Sequence, residues 1–156
     1  MKKKVLKGAA GVVAAAVLVV VIYLAYVFAT YYRLEDNLEI GVERFGSGAA
    51  DDVAKIGEDY LIVSANIGFG AYSDDYSFFM DGGKESRARS AEAVTENVSG
   101  SMGAVAGQSP DIILLQEVDT DGTRSWHVDE KELAMQELAK EGMENVDYTY
   151  AQNYDS

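Results

Sequence analysis

Residues 110–119 read PDIILLQEVD. Four consecutive apolar residues, Ile112 to Leu115, run straight into Gln116 and Glu117. A short β-branched apolar run of this kind reads as a buried strand, and this one ends on a carboxylate. Polar residues commonly mark the exit of a strand, so Glu117 alone is open to that reading. The alternative is that a rigid element holds Glu117 at a strand terminus for chemistry. The rest of the chain has to decide.

Working outward, Tyr60 to Ala65 (YLIVSA) has the same two-sided apolar character and predicts another buried strand. It runs into Asn66-Ile67-Gly68-Phe69-Gly70. Over residues 86–106, Ala91, Val94, Val98, Met102 and Val105 recur at steps of three or four, which predicts one face of a helix. Gly100 and Gly103 weaken its second half. Asp129 to Glu141 predicts a further helix, with capping-box spacing between Asp129 and Glu132 and Gly142 as its stop. Val146 to Ala151 (VDYTYA) reads as a third strand. This β-α-β-α-β order argues for an α/β class with a covered sheet. The pattern does not separate a doubly wound sheet from a two-sheet sandwich.

The N-terminus is of a different kind. Between Lys7 and Arg33 no residue is charged, and Gly8 to Ala29 are almost all apolar. At 1.5 Å per residue, about 20 such residues cross a bilayer core of about 30 Å. Tyr23, Tyr26, Tyr31 and Tyr32 gather toward the far end, where an aromatic belt is expected. Lys2, Lys3, Lys4 and Lys7 precede the span and predict a cytoplasmic N-terminus, with the remainder outside the cell membrane. A cleaved signal peptide is the rival, but its apolar region is usually shorter and ends at a small-x-small site. The expected organisation is therefore a single transmembrane anchor over 1–33, an acidic stalk or lead-in over 34–58, and a folded portion over 59–156.

Charge divides the chain at the same place. Residues 1–33 carry five basic residues and no acid, whereas residues 34–156 carry 8 basic against 26 acidic ones, a balance of −18. Such a field repels polyanions and disfavours long nucleic acid as a partner. A phosphate-ester substrate would need local positive charge, for which a divalent cation is the obvious source. With no cysteine, disulfides and thiolate metal sites are excluded.

If the two apolar strands are neighbours, the amide of Asn66 and the carboxylate of Glu117 converge at one sheet edge. That pair suits Mg²⁺, a hard ion that takes oxygen ligands, keeps several waters and needs only one or two carboxylates. Gly68 and Gly70 would let backbone and substrate approach closely. An ordinary strand-to-turn exit uses the same residue types.

SANIGFG (64–70) followed by PDIILLQEVD (110–119) resembles the opening of the endonuclease/exonuclease/phosphatase (DNase-I-like) superfamily. The longer run NIGFGAYSDDYSFFMDGGKESRARS, with TRSWHVDE after the second motif, is similar more narrowly to membrane-anchored bacterial members. The resemblance covers about residues 58–156. It implies the N-terminal part of a four-layered α/β sandwich and Mg²⁺-dependent cleavage of phosphate esters, with Mn²⁺ as a substitute ion. Asn66 would then be a ligand or orienter near the metal and Glu117 its main carboxylate, while an activated water attacks phosphorus in line. The superfamily's later motifs, a histidine, an Asp-x-Asn pair and a terminal Asp-His pair, have no counterpart before Ser156. The resemblance thus implies a fragment of a longer protein, inert and marginally folded by itself. The alternative is a non-catalytic extracytoplasmic binding or scaffold module on the same fold.

Other residues carry weaker readings. Arg124 and His127 in TRSWH are candidate phosphate contacts, the arginine offering a planar donor fork, or they pin a surface loop over Trp126. Asp74, Asp75 and Asp81 resemble a metal cluster but suit a turn-rich loop equally. One of Arg87 and Arg89 is expected to pair with a nearby acid. Tyr148, Tyr150 and Tyr154 alternate at strand spacing and read as packing residues.

Overall fold

The computed structural model describes residues 2–31, 33–48 and 53–153. The chain divides between Glu39 and Ile40. The first unit holds one helix, α1 (Lys2–Thr30). Its stretch Lys7–Thr30, 24 residues with a mean hydropathy of 2.8, is long and apolar enough to cross a membrane. Its side chains are exposed throughout that stretch, Tyr23 and Tyr26 included.

The second unit is mixed α/β. Its elements are β1 (Glu43–Phe45), β2 (Ile62–Asn66), α2 (Ala91–Ala106), β3 (Ile112–Gln116), α3 (Glu130–Lys140) and β4 (Val146–Tyr148), with single 3₁₀ turns at Gly68–Gly70, Phe79–Asp81 and Thr123–Ser125. β2 and β3 pair in parallel, in register from Ile62 opposite Ile112 to Asn66 opposite Gln116. Parallel neighbours need a crossover, and α2 lies in it. One face of the pair, with Val63, Ala65, Ile113 and Leu115, turns to the core. The expected cover on both faces is not found among the described residues. Ile62, Ile112 and Leu114 are all about half exposed on the other side.

The core forms where α2 and α3 pack on that inner face. Val94, Val98, Met102 and Val105 of α2 meet Ala134, Met135 and Leu138 of α3, with Val63, Ile67 and Phe69 beneath. α2 continues through Gly100 and Gly103 despite their low helix propensity, because its apolar stripe is buried on both sides of them. It begins later than the periodicity predicts. Residues 86–90 are not helical: Ser90 is extended and its Oγ caps Ala93 N at 3.1 Å, while Ala88 N is bonded away to the Arg124 carbonyl at 2.8 Å. α3 is capped as its sequence predicts. Asp129 accepts from Glu132 N at 3.0 Å, and Gly142, at φ 95°, lets Met143 N reach the Leu138 carbonyl at 2.9 Å.

The third strand differs in length and partner. It spans only Val146–Tyr148, and it pairs antiparallel with β1, which lies in the stretch read as a lead-in. Cross-strand side chains hold this pair. Arg44 forks onto Asp147 at 2.6 and 2.9 Å, and the Tyr148 hydroxyl donates to Glu43 at 2.7 Å. Three residues of the composition Glu-Arg-Phe carry too little alternation to be read as a strand alone. Tyr150 falls after the strand, and Tyr154 lies outside the described residues.

Candidate active site

The two strand ends arrive together because β2 and β3 are in register. At the last rung Asn66 lies opposite Gln116, so the next residue on β3, Glu117, comes beside the Asn66 side chain. Asn66 Nδ2 donates to Glu117 Oε1 at 2.9 Å, and Asn66 Oδ1 accepts from Gly68 N at 2.8 Å. Chemistry fixes this orientation of the amide. A carboxylate only accepts and a backbone N–H only donates, so the reversed amide would face two like partners. Asn66 therefore orients Glu117, and its oxygen is turned to its own turn.

Both chains leave the sheet through left-handed backbone. Glu117 has φ 56° and Phe69 φ 45°, rare values for residues with a side chain. The turns are bonded to each other: Ile67 N donates to the Gln116 carbonyl at 3.0 Å and Phe69 N to the Glu117 carbonyl at 2.9 Å. Gly68 and Gly70 also have positive φ, but packing explains them better than substrate access. A Cβ on Gly68 would meet the Tyr72 ring at 2.4 Å, and one on Gly70 would meet Val94 at 2.6 Å. Asn97 of α2 clamps the same turn by donating to the Gly70 carbonyl at 2.8 Å.

Arg124 is the cation of this edge. Its Nε and Nη2 fork onto Asp119 at 2.9 and 2.8 Å, its Nη1 makes a long contact to Glu117 Oε2 at 3.4 Å, and its Cζ sits 4.2 Å from the centre of the Phe69 ring. The Asp119 hydrogen bond pushes the guanidinium pKa further up. Asp119 is fixed in turn by Glu130 at the start of α3. Asp119 N donates to Glu130 Oε2 and Glu130 N donates to the Asp119 carbonyl, both at 2.9 Å. Burial pushes the Glu130 carboxyl up to about 8, the Asp119 N–H opposing. Neither Asp119 nor Glu130 stands out in the sequence, where both read as ordinary loop and first-turn acids.

The remaining candidates lie elsewhere in the same loops. His127 pairs through Nδ1 with Asp121 at 2.8 Å in an exposed loop and makes no hydrogen bond to Glu117 or Arg124. Trp126 anchors that loop, its indole N–H donating to the Ala88 carbonyl at 2.6 Å with the Arg87 guanidinium 4.3 Å from its ring. Arg89 is the arginine that pairs with acids, Asp75 at 2.7 Å and Glu85 at 3.0 Å, and so shapes the loop carrying Asp74 and Asp75. Asp81 closes a 3₁₀ turn before Gly82.

Glu117 could serve as a single ligand to a hard cation such as Mg²⁺. Its side chain is 42 % exposed, and among the described residues Oε2 has only the long Arg124 contact. Among the described residues no three His, Asp or Glu side chains form a metal cluster. So few donors could serve only an ion that keeps most of its waters, not one held in a protein cage. No protein-family model matches this chain, and no curated protein or solved structure matches it either.

Proposed function

We propose that this chain carries a membrane-anchored, Mg²⁺-dependent phosphoesterase site of the endonuclease/exonuclease/phosphatase type. In this reading β2, β3, α2 and α3 contribute to a four-layered α/β sandwich. The observation that carries it is the Asn66–Glu117 hydrogen bond across two in-register strand ends. It joins the two sequence motifs that suggested the superfamily. Glu117 would hold the ion, and Asn66 would fix the carboxylate that does so. Bound Mg²⁺ supplies Lewis-acid stabilisation of charge on the phosphoryl and leaving oxygens. Arg124, forked onto Asp119 and in only a long contact with Glu117, offers Nη1 to a phosphate oxygen. α1 would anchor the site to the cell membrane with its N-terminus inside, and the acidic balance of residues 34–156 favours small phosphate esters over long nucleic acid.

The test uses the full chain in detergent micelles with Mn²⁺ as a paramagnetic probe. Amides of Asn66, Gly68, Glu117 and Arg124 should broaden first, Mg²⁺ should reverse the effect, and Glu117→Gln should abolish it. Broadening spread over the acidic surface and indifferent to Glu117→Gln would refute the reading. It would leave the binding or scaffold module as the better account.

A further inference from the structure

We propose that Tyr72 is a substrate-contacting residue of this site, its phenol O–H donating to a non-bridging phosphate oxygen beside Arg124. The inference rests on the phosphoesterase reading and adds a donor that neither sequence motif contains. Its ring lies against the backbone of Gly68, whose N–H holds Asn66, so closely that a Cβ on Gly68 would come 2.4 Å from Tyr72 Cδ2. The same ring meets Phe69 edge-on at 6.0 Å and 74°, while the face of Phe69 carries the Arg124 guanidinium at 4.2 Å. Tyr72 and Arg124 are therefore both seated on one buried ring next to Glu117.

The hydroxyl is free to act. Tyr148 donates to Glu43 and Tyr150 to the Val118 carbonyl, the Tyr76 hydroxyl is buried, and the Tyr60 hydroxyl accepts from Lys55 N. Tyr72 is 48 % exposed and its hydroxyl makes no hydrogen bond among the described residues. Burial of the ring and the charges of Asp81 and Glu117 raise its pKa, with Arg124 opposing, so the phenol stays protonated and remains a donor. A second donor is chemically needed here. Asp119 occupies the Nε and Nη2 side of Arg124, which leaves for a phosphate only the Nη1 edge, itself in long contact with Glu117 at 3.4 Å. A neutral phenol adds a hydrogen bond to the anion without competing with the metal for Glu117.

The experiment titrates inorganic phosphate into the full chain in micelles at saturating Mg²⁺, following the amide shifts of Gly68 and Arg124. Tyr72→Phe keeps the ring and its contacts. Phosphate affinity should fall about tenfold in that variant, the loss of one hydrogen bond to a charged group, with Mn²⁺ broadening unchanged. Tyr76→Phe should bind phosphate as the parent does. Equal affinity in the parent and Tyr72→Phe overturns the inference, as does a parent that binds Mn²⁺ at Glu117 but shows no phosphate response. Failure of the parent to bind Mn²⁺ at Glu117 overturns the underlying reading instead, and this inference with it.

Discussion

Asp119 and Glu130 hold each other through two reciprocal hydrogen bonds of 2.9 Å, each backbone N–H donating to an oxygen of the other residue. This exchange ties the loop carrying Arg124 to the first turn of α3. It also leaves Glu130 Oε1 buried, facing the turn at Gly70 and without a partner among the described residues.

Stability should therefore depend on pH through Glu130. The unfolded chain ionises this carboxyl near its ordinary value of 4.5, whereas burial lets the folded chain keep the proton to about 8. Between those limits the folded state binds the extra proton, so stability is greatest below the lower value and falls as pH rises through the upper one. The loss is on the order of 5 kcal/mol. Thermal unfolding of the parent should show a falling midpoint between pH 5 and about 8, and Glu130→Gln should flatten that fall. A parent profile as flat as the variant's would show that Glu130 ionises in place without cost.

Metal affinity should depend on Asp119 although Asp119 is not a proposed ligand. Its fork holds Arg124 at 2.8 Å and keeps the guanidinium 3.4 Å from Glu117. Asp119→Asn weakens that fork and lets Arg124 close on Glu117, where it competes with the cation. Mn²⁺ affinity should fall about fivefold, in line with a half-exposed ion pair of up to about 1 kcal/mol. An unchanged affinity in Asp119→Asn would remove Asp119 from the account of the site.

The parts of this molecule legible in the sequence are those written in local pattern. Val94, Val98, Met102 and Val105 sit one helical turn apart, and burial of that stripe follows from spacing alone. Asp129, Glu132 and Gly142 announce the ends of α3 because capping uses residues a few positions apart. What was not legible depends on distant partners. The start of α2 moves to Ser90 because Ala88 is bonded to Arg124, and β1 exists only through β4. The pairing of Asn66 with Glu117 lies between these cases. Two strand ends suggested it, but their register is a property of the sheet. Glu130 was concealed most fully, since an acid in a first helical turn is favourable in water, and its burial comes from tertiary packing around Asp119 and the Gly70 turn.

Orientation in the membrane is predicted from the lysines before α1 and the uncharged span that follows. Protease added to intact cells should digest an epitope placed after Ser156 and spare one placed before Lys2. The mass of the mature chain should include the N-terminal residues, since the apolar span is longer than that of a signal peptide. Protection of the C-terminal epitope would reverse the topology, and a shortened mature chain would replace the anchor by a signal.

The left-handed backbone at Glu117 predicts a conflict between stability and function at that residue. A residue with a Cβ at φ 56° costs about 1–2 kcal/mol relative to its right-handed alternative. Part of that cost is offset by the hydrogen bond from Phe69 N to the Glu117 carbonyl at 2.9 Å. Glu117→Ala and Glu117→Gly remove the same carboxylate and the same Asn66 hydrogen bond, so they differ only in backbone preference. Glycine is relieved of the left-handed strain but loses more conformational freedom on folding, which offsets part of the gain. Glu117→Gly should therefore be the more stable of the two by about 0.5–1 kcal/mol, measured by urea unfolding of the full chain in micelles, and neither should show Mn²⁺ broadening. An alanine variant at least as stable as the glycine one would mean that the turn is unstrained. Its positive φ could then no longer be read as backbone held out of its preferred region to aim a carboxylate.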